Sequence, residues 1–365
     1  MQRGMFGEEN HLEMLSKLGD ALERLNKAIN WEAFRPILTK ALRKERKGAG
    51  GRPPYDVILM FKILILQRLY NFGDDQTEYL ILDRLSFMRF LGINLDSPIP
   101  DAKTIWFYKD TLVKAGTADK LFAQFERMLE ESGLISRAGT IVDATFVDAP
   151  KQRNSREENT TLKEGGIPEE WQKLQNAHKL AQKDTDARWA KKHNETHYGY
   201  KNHVKADKDS KLITGYAVTD ASVHDSRALP GLIDEKDKVL YADSAYRGKE
   251  LLSKLPETVE IQVHEKAYRN RPLTDAQKEE NHRKSKIRFR IEHIFGFMTN
   301  SMNGITVRSI GIVRAKFNIA MMNLAYNMCR YEFCGEQRPL WDNCTLLTAK
   351  AAERGVKKGN GCIFR

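Results

Sequence analysis

The sequence predicts an α/β protein in which a mixed five-stranded sheet with flanking helices follows an all-helical region. Apolar residues recur three and four positions apart in the first third of the chain, as in amphipathic helices. From Thr140 onward, β-branched runs alternate first with turns and later with helical segments, which is typical of an α/β sheet. The 365 residues are enough for two or three domains with a substantial core.

The predicted organisation has three parts. Residues 1–135 form the helical region, residues 136–334 form the α/β domain, and residues 335–365 form a basic tail. A polar stretch at about 151–195 interrupts the α/β domain. We expect it to be an insertion loop or a set of short exposed helices.

The helical region begins with a stripe of apolar residues that predicts one amphipathic helix: Leu15, Leu18, Leu22, Leu25 and Ile29. An apolar helix is expected near Tyr55, a second helix from Asp75 to Phe90, and a third after Asp101, a suitable N-cap. Lys103 and two further lysines lie on the third helix beside Trp106, an arrangement that would suit the major groove of DNA. A plain helical bundle is an equally good interpretation.

The α/β domain begins with the strand "TIVDATFVDAP", and "HYGYKNHVKADKDSKLITGYAVTD" then predicts a hairpin. Strand alternation places Lys201, His203 and Lys205 together on one face of the hairpin. The strands "VLYADSAYRG" and "VEIQVHE" follow, with a short helix between them. Two helices, from about Asp275 to Asn300 and from Val313, complete the domain.

The composition favours a polyanionic partner. The formal net charge is +11 and the pI is about 9.3, so neutralising phosphates would release counterions. An ordinary basic protein is the alternative. No run approaches the ~18–20 apolar residues of a membrane span, and the amino terminus lacks a signal-peptide core, so we expect a cytoplasmic protein. The four cysteines match no zinc pattern, which favours reduced thiols.

Three carboxylates lie in segments where solvated charges are not expected. Asp143 and Asp243 fall in apolar strands, and Glu292 falls in the helical stretch "RIEHIFGFM". Asp148 is an odd number of residues from Asp143 and so faces the other way, and Asp143 lies deeper in its apolar run. Clustered carboxylates repel unless a divalent cation such as Mg²⁺ binds them. Each of these residues alone is equally consistent with a salt-bridged core position.

These carboxylates and their neighbours resemble the DDE transposases of bacterial insertion sequences, in particular the IS-five type. The resemblance is carried by "TIVDATFVDAP", "HYGYKNHVKADKD", "AVTDASVHDS", "YADSAYRG" and "RIEHIFGFM", in this order. Upstream, "GGRPPYDVILMFKILILQRLYNFGDDQTEYLILDRLSFMRFLG" and "PDAKTIWFYKDTL" are similar to the family's amino-terminal region. The similarity extends to about Phe333.

The resemblance implies a ribonuclease H-like sheet whose first and fourth strands are neighbours and carry Asp143 and Asp243, with Glu292 supplied by a later helix. It implies that these three residues are catalytic and bind two Mg²⁺ ions, with Mn²⁺ as a substitute. It further implies cleavage and strand transfer of double-stranded DNA at terminal inverted repeats and target sites, a homodimer in the DNA complex, and DNA binding or dimerisation by residues 1–135.

The family signature around the glutamate is only partly present. Arg288 and Glu292 match, whereas Ser285 and Thr299 replace the tyrosine and lysine. Arg288 lies one helical turn from Glu292 and is expected to contact DNA phosphate. An ion pair that merely orients Glu292 is the alternative.

Several further residues are predicted DNA contacts: Arg247, Lys201, His203, Lys205, Arg52 and Lys103. His224 is expected to support the metal ligands, to contact DNA, or simply to cap the helix from Ser226. Two other functions compete with a transposase. One is a catalytically inactive, transposase-derived DNA-binding protein, and the other is a nuclease acting on RNA–DNA hybrids.

Overall fold

The structure is a computed structural model that describes residues 7–43, 53–192, 194–267 and 272–336. Its amino-terminal part is helical, as predicted. The helices in this part are α1 Gly7–Lys17, α2 Ala21–Ala28, α3 Arg35–Leu42, α4 Val57–Tyr70, α5 Asp74–Asp83, α6 Leu85–Leu91, α7 Ala102–Lys114 and α8 Ala118–Glu131.

Two of the predicted helices are each divided in the structure. The stripe from Leu15 to Ile29 spans α1 and α2, because the chain turns at Gly19, whose φ of +85° favours glycine. Leu18 is therefore 83% exposed. The expected helix from Asp75 to Phe90 is interrupted at Arg84, which is extended (φ −115°, ψ 114°) between α5 and α6. These two predictions of single helices were wrong.

The cap predicted for the third helix is confirmed. The Asp101 carboxylate accepts a hydrogen bond from the Thr104 backbone N–H at 2.7 Å and satisfies an N–H that the helix itself leaves free. Helix α4 is also capped by a carboxylate, that of Asp56, and most of its 14 residues are buried. A helix that is apolar on every side belongs in the core.

The sheet has six strands, one more than predicted: β1 Thr140–Asp148, β2 Arg188–Lys192, β3 Glu195–Asp207, β4 Ile213–Asp220, β5 Val239–Ala242 and β6 Glu260–Val263. The additional strand, β2, comes from the polar insertion and pairs antiparallel with β3. The rest of the insertion contains the short helices α9 Arg156–Lys163, α10 Glu169–Gln172 and α11 Ala177–Ala181. Trp171 anchors them with a fully buried side chain.

Strands β1 and β5 are parallel neighbours at the centre of the sheet. The strand order is β2-β3-β1-β5-β6, and β4 pairs with β3. Strands β3 and β4 run antiparallel to their partners, whereas β5 and β6 are parallel to β1. The sheet is therefore mixed, as predicted.

The final helices connect the sheet to the amino-terminal helices. They follow the short α12 Lys249–Leu252 and are α13 Asp275–Asn300 and α14 Ile312–Glu336. Helix α14 packs on α4 and α8 and also on β4. On its sheet side, Asn323 and Asn202 exchange side-chain hydrogen bonds, and Asn327 binds the backbone of Ile213. One continuous hydrophobic core thus joins the helical region to the sheet.

Across the parts of the chain that the structure describes, we find no helix with the length and apolar content that crossing a membrane would require.

Candidate active site

The two strand aspartates lie level with each other on neighbouring strands. Strands β1 and β5 pair in parallel, with Thr140 opposite Leu240 and Ile141 opposite Tyr241. Extended past Ala242, where β5 ends, this register would place Asp143 opposite Asp243, and the Asp243 charge does raise the pKa of the Asp143 carboxyl group. Residues level on adjacent parallel strands project to the same face, so the two carboxylates share one edge of the sheet.

Asp243 is oriented by the turn that follows its strand. It precedes a short 3₁₀ helix, Ser244–Tyr246, and its carboxylate accepts a hydrogen bond from the Ala245 backbone N–H. Directly after the strand, Asp243 thus uses one carboxylate oxygen in this turn, and its second oxygen has no hydrogen-bond partner among the described residues.

Asp143 is the more buried of the two acids that flank Arg288. Its side chain is only 18% exposed, and burial raises the pKa of its carboxyl group above the usual value. The Ala144 backbone N–H and the Arg288 guanidinium oppose this shift, whereas the nearby charge of Asp243 adds to it. Asp143 thus pays a desolvation penalty that a bound cation would offset.

Arg288 joins the third carboxylate to this edge. Its Nη1 lies 2.9 Å from Asp143 Oδ2, and its Nη2 lies 3.4 Å from Glu292 Oε1. Both residues belong to α13, one turn apart, and the Glu292 side chain is 46% exposed. The contact with Glu292 follows from the helical spacing, but the contact with Asp143 could not be seen in the sequence. The guanidinium therefore occupies the space between Asp143 and Glu292.

The placement of the three acids suits a divalent cation only in part. Within the described residues, no group of three or more His, Cys, Asp or Glu side chains is arranged to hold a metal ion. Asp143 and Asp243 nevertheless offer hard carboxylate oxygens on one face, and one guanidinium separates Asp143 from Glu292. The type of donor therefore suits such an ion, whereas the arrangement of the three acids among the described residues does not hold one.

Two residues that sequence analysis missed lie close to the aspartates. Tyr246 is buried, its hydroxyl has no partner among the described residues, and burial raises its pKa, with further contributions from Asp143, Asp225 and Asp243. His264 follows β6, and burial, with the Arg288 charge, lowers its pKa. The spacing of Tyr246, three residues after Asp243, was the available signal.

The predicted basic face of the hairpin is not a surface. Lys201, His203 and Lys205 are all buried, so the prediction that they contact DNA was wrong. Lys201 pairs with Asp225 at 2.8 Å, and Lys205 lies 3.0 Å from Asp234 and 3.2 Å from Asp237. Burial lowers the pKa of His203 to about 4, and its ring lies 2.9 Å from Thr219 Oγ1. The residues after β4 that supply these carboxylates cover the face that alternation alone left open.

The remaining predicted residues have mixed placements. His224 caps the 3₁₀ helix Asp225–Gly231, with Nδ1 2.8 Å from Ser226 Oγ, which agrees with the structural interpretation. Arg247 is exposed beyond Asp243 and pairs with Glu265. Lys103 is exposed on α7. Arg52 lies outside the described residues, as do most of the basic stretch before it and nearly all of the predicted tail.

The strand order, with β1 and β5 as central parallel neighbours, is consistent with a ribonuclease H-like domain. The family comparison agrees with this assignment. Residues 136–328 match the family described as "Transposase DDE domain", and the match covers more than half of the 365 residues. The chain therefore belongs to the DDE transposase domain family.

A second family, described as "Transposase domain (DUF772)", matches residues 9–110 in the helical region. No solved structure matches the chain. Transposases act on DNA in transposition, a form of DNA recombination, and DDE transposases generally use divalent metal ions.

Proposed function

We propose that the protein is an IS-five-type transposase that binds the terminal inverted repeats of an insertion sequence and carries out metal-dependent strand cleavage and strand transfer. The observation that carries this proposal is the level placement of Asp143 and Asp243, with Glu292 tied to Asp143 through Arg288. Family membership supports the same conclusion.

In this proposal Asp143, Asp243 and Glu292 would hold two Mg²⁺ ions, which Mn²⁺ can replace. When bound, such ions activate an attacking oxygen and stabilise the leaving oxygen in phosphodiester displacement. The protein contributes a partly desolvated edge in which charge interactions are stronger than in bulk water.

Arg288 has two successive roles in this proposal. Without metal and DNA, its guanidinium neutralises Asp143 and Glu292 and prevents their mutual repulsion. If Asp143 and Glu292 held cations, they would no longer need this guanidinium as a counter-charge, and its planar fork, one helical turn from Glu292, would suit the oxygens of the scissile phosphate. In this proposal Arg288 forms an ion pair in the protein without metal and DNA, and it contacts the phosphate once both are bound.

DNA would extend from this edge toward the helical region. Arg247 lies in the loop just after Asp243, where it pairs with Glu265, and Lys103 is exposed on α7; we propose both as phosphate contacts in the DNA complex. We assign recognition of the inverted repeats to residues 1–135, including the basic segment that contains Arg52. Processing two element ends together requires two active sites, so we propose a homodimer in the DNA complex.

The test is cleavage of duplex DNA that carries the element's end. Asp243→Asn should reduce the rate by ~10²–10³-fold or more, because one carboxylate of the reacting centre is lost. Asp148→Asn is the matched control, since Asp148 is an exposed aspartate on the same strand as Asp143 and lies 3.4 Å from His197. Equal cleavage by wild type and Asp243→Asn would refute the proposal.

A catalytically inactive DNA-binding protein is the second candidate. It is favoured by the absence, in the described parts of the chain, of a three-acid cluster ready to hold a metal. This candidate predicts that wild-type protein binds the element's end but leaves it intact with Mg²⁺ or Mn²⁺. Metal-dependent nicking by wild type, lost in Asp243→Asn, would exclude it.

A further inference from the structure

A cavity of about 360 Å³ lies where the helical region meets the start of α14, and its charges are unbalanced. Its lining includes four cations and two acids: Arg68, Lys109, Arg308, Arg314, Asp74 and Asp110. None of these residues belongs to the acidic edge of the sheet. Cavities of ~300–1,000 Å³ are typical small-ligand sites.

Two of the four cations are neutralised within the cavity wall. Lys109 Nζ lies 2.6 Å from Asp74 Oδ1, and Arg314 Nη2 lies 2.9 Å from Asp110 Oδ1. Each acid has a further partner as well, since Gln67 donates to Asp74 and Lys114 pairs with Asp110. The Asp74 charge still attracts Arg68, but among the described residues neither acid forms an ion pair with Arg68 or Arg308.

Arg68 is the unusual member of the set. Its side chain belongs to the apolar helix α4, the residue is only 9% exposed, and it lines the cavity. Among the described residues its guanidinium forms no hydrogen bond or ion pair. Burial, with repulsion from Arg308, lowers the pKa of Arg68 to about 10, so the group remains charged at neutral pH.

Arg308 adds a second guanidinium without a carboxylate partner among the described residues. Its Nη1 donates to the backbone oxygen of Asn71 at 2.8 Å and to the Asn71 side chain at 2.9 Å. Two like charges are thus held at one cavity, and one of them is desolvated. A buried cation that forms no ion pair is costly even though the Asp74 charge offsets part of that cost, and an anion bound between the two guanidinium groups would offset more of it.

We propose that this cavity is a phosphate-binding site in which Arg68 and Arg308 hold the phosphate oxygens. Guanidinium groups bind phosphate through paired N–H donors, which suits two arginines facing one cavity. Because the cavity rests on the helical region, we assign the phosphate to the DNA backbone, a step that depends on the proposed function. Trp106, 49% exposed, lines the cavity, and the exposed Lys103 precedes it on α7.

The first experiment measures thermal unfolding of the full chain in sodium phosphate and in sodium chloride at matched ionic strength. Wild type should show a saturable rise in Tm with phosphate. Arg68→Met should unfold at a higher temperature than wild type without phosphate, because a desolvated charge is removed, and should lose the phosphate-dependent rise. A wild type without a saturable rise, or an Arg68→Met variant with an unchanged rise, would overturn the proposal.

Two further variants keep this experiment decisive. Lys62→Met is the matched control, because Lys62 is a half-buried cation on the same helix that donates to the Phe90 carbonyl, 3.1 Å away, outside the cavity. It should keep the phosphate response. Arg308→Gln changes an exposed residue and should fold, and calorimetry with pyrophosphate should show at least about tenfold weaker binding, ~1.4 kcal/mol.

The source of the phosphate is decided by titrating duplex DNA at several salt concentrations. If DNA supplies it, Arg68→Met should weaken binding and reduce the salt slope by about 1. Unchanged DNA binding, with the phosphate response lost, would assign the site to a free phosphate compound. Asp243→Asn should keep the phosphate response, so failure of this site and failure of the proposed catalysis are separable.

Discussion

Strand β3 and the cavity beside α4 both contain buried cations, but the two lysines of β3 are paired with carboxylates, whereas Arg68 in the cavity is not, within the described parts of the chain. Lys201 and Lys205 pair with Asp225, Asp234 and Asp237. Arg68 has no such partner among the described residues. The basic residues of β3 are thus part of the folded core, whereas those of the cavity leave positive charge for a ligand. A count of basic residues in the sequence cannot distinguish these two cases, because the partners lie far away along the chain.

The largest expected effect is on the β3 side of this comparison. Lys205→Met leaves Asp237 buried without its counter-charge and should lower the free energy of unfolding by ~3–5 kcal/mol, measured by urea denaturation. Lys103→Met, at an exposed site on α7, should change it by no more than ~0.5 kcal/mol. Equal stability of Lys205→Met and wild type would remove the contrast between the two regions.

The pH dependence of stability tests whether His203 is buried and neutral. Its pKa falls from 6.5 to about 4 in the folded state. Between pH 6.5 and pH 4 the unfolded chain therefore binds a proton at His203, whereas the folded chain leaves the ring neutral. The neutral His203 thus contributes ~3 kcal/mol to the free energy of unfolding above pH 6.5. This contribution is lost as the pH falls toward 4. Urea denaturation at pH 7 and pH 4.5 measures it.

His203→Gln is the variant for that measurement, because an amide can keep the hydrogen bond to Thr219 without titrating. Wild type should lose more stability than this variant between the two pH values. If both lose the same amount, His203 titrates as an exposed residue and the buried assignment fails.

Arg288 shares a feature with each region. It is paired with carboxylates, as the lysines of β3 are, but those carboxylates are the proposed ligands of a metal ion, so the pairing competes with ligand binding. Arg288→Gln should bind Mn²⁺ about tenfold more tightly without DNA, ~1.4 kcal/mol, because the competing cation is removed. The same variant should cleave DNA more slowly. Calorimetry measures the first effect and a nicking assay the second.

Arg290→Gln provides the control for Arg288. Arg290 lies on the same helix, but it contacts the Lys208 carbonyl at 2.5 Å and Asp209 at 3.6 Å. Its replacement should leave Mn²⁺ binding unchanged. Weaker Mn²⁺ binding by Arg288→Gln would show that Arg288 organises the carboxylates and does not compete with the metal.

The candidate acids Asp143 and Asp243 could be selected from the sequence because the relevant signals are local. A carboxylate inside an apolar strand, as at Asp143, and one directly after another apolar strand, as at Asp243, are both visible without knowledge of the fold. Helical spacing likewise places Arg288 beside Glu292. The resemblance supplied the pairing of the two strands, which local patterns alone leave open.

The failures have a different physical cause, since each depends on residues distant in sequence. Alternation in β3 predicts two faces but not that both are covered, one by α14 and the other by the residues after β4. Arg68 is visible in the sequence as a charge within an apolar run. That Arg308 lines the same cavity depends on the fold, because the two residues are distant in sequence. The helix breaks at Gly19 and Arg84 depend on how short helices pack, which periodicity does not encode.

The most direct test of the acidic edge is calorimetric titration of Mn²⁺ into wild type, Asp243→Asn and Asp148→Asn. We expect saturable binding by wild type and by Asp148→Asn, and at least tenfold weaker binding by Asp243→Asn, ~1.4 kcal/mol or more. Equal binding by wild type and Asp243→Asn, or loss of binding in Asp148→Asn instead, would contradict it.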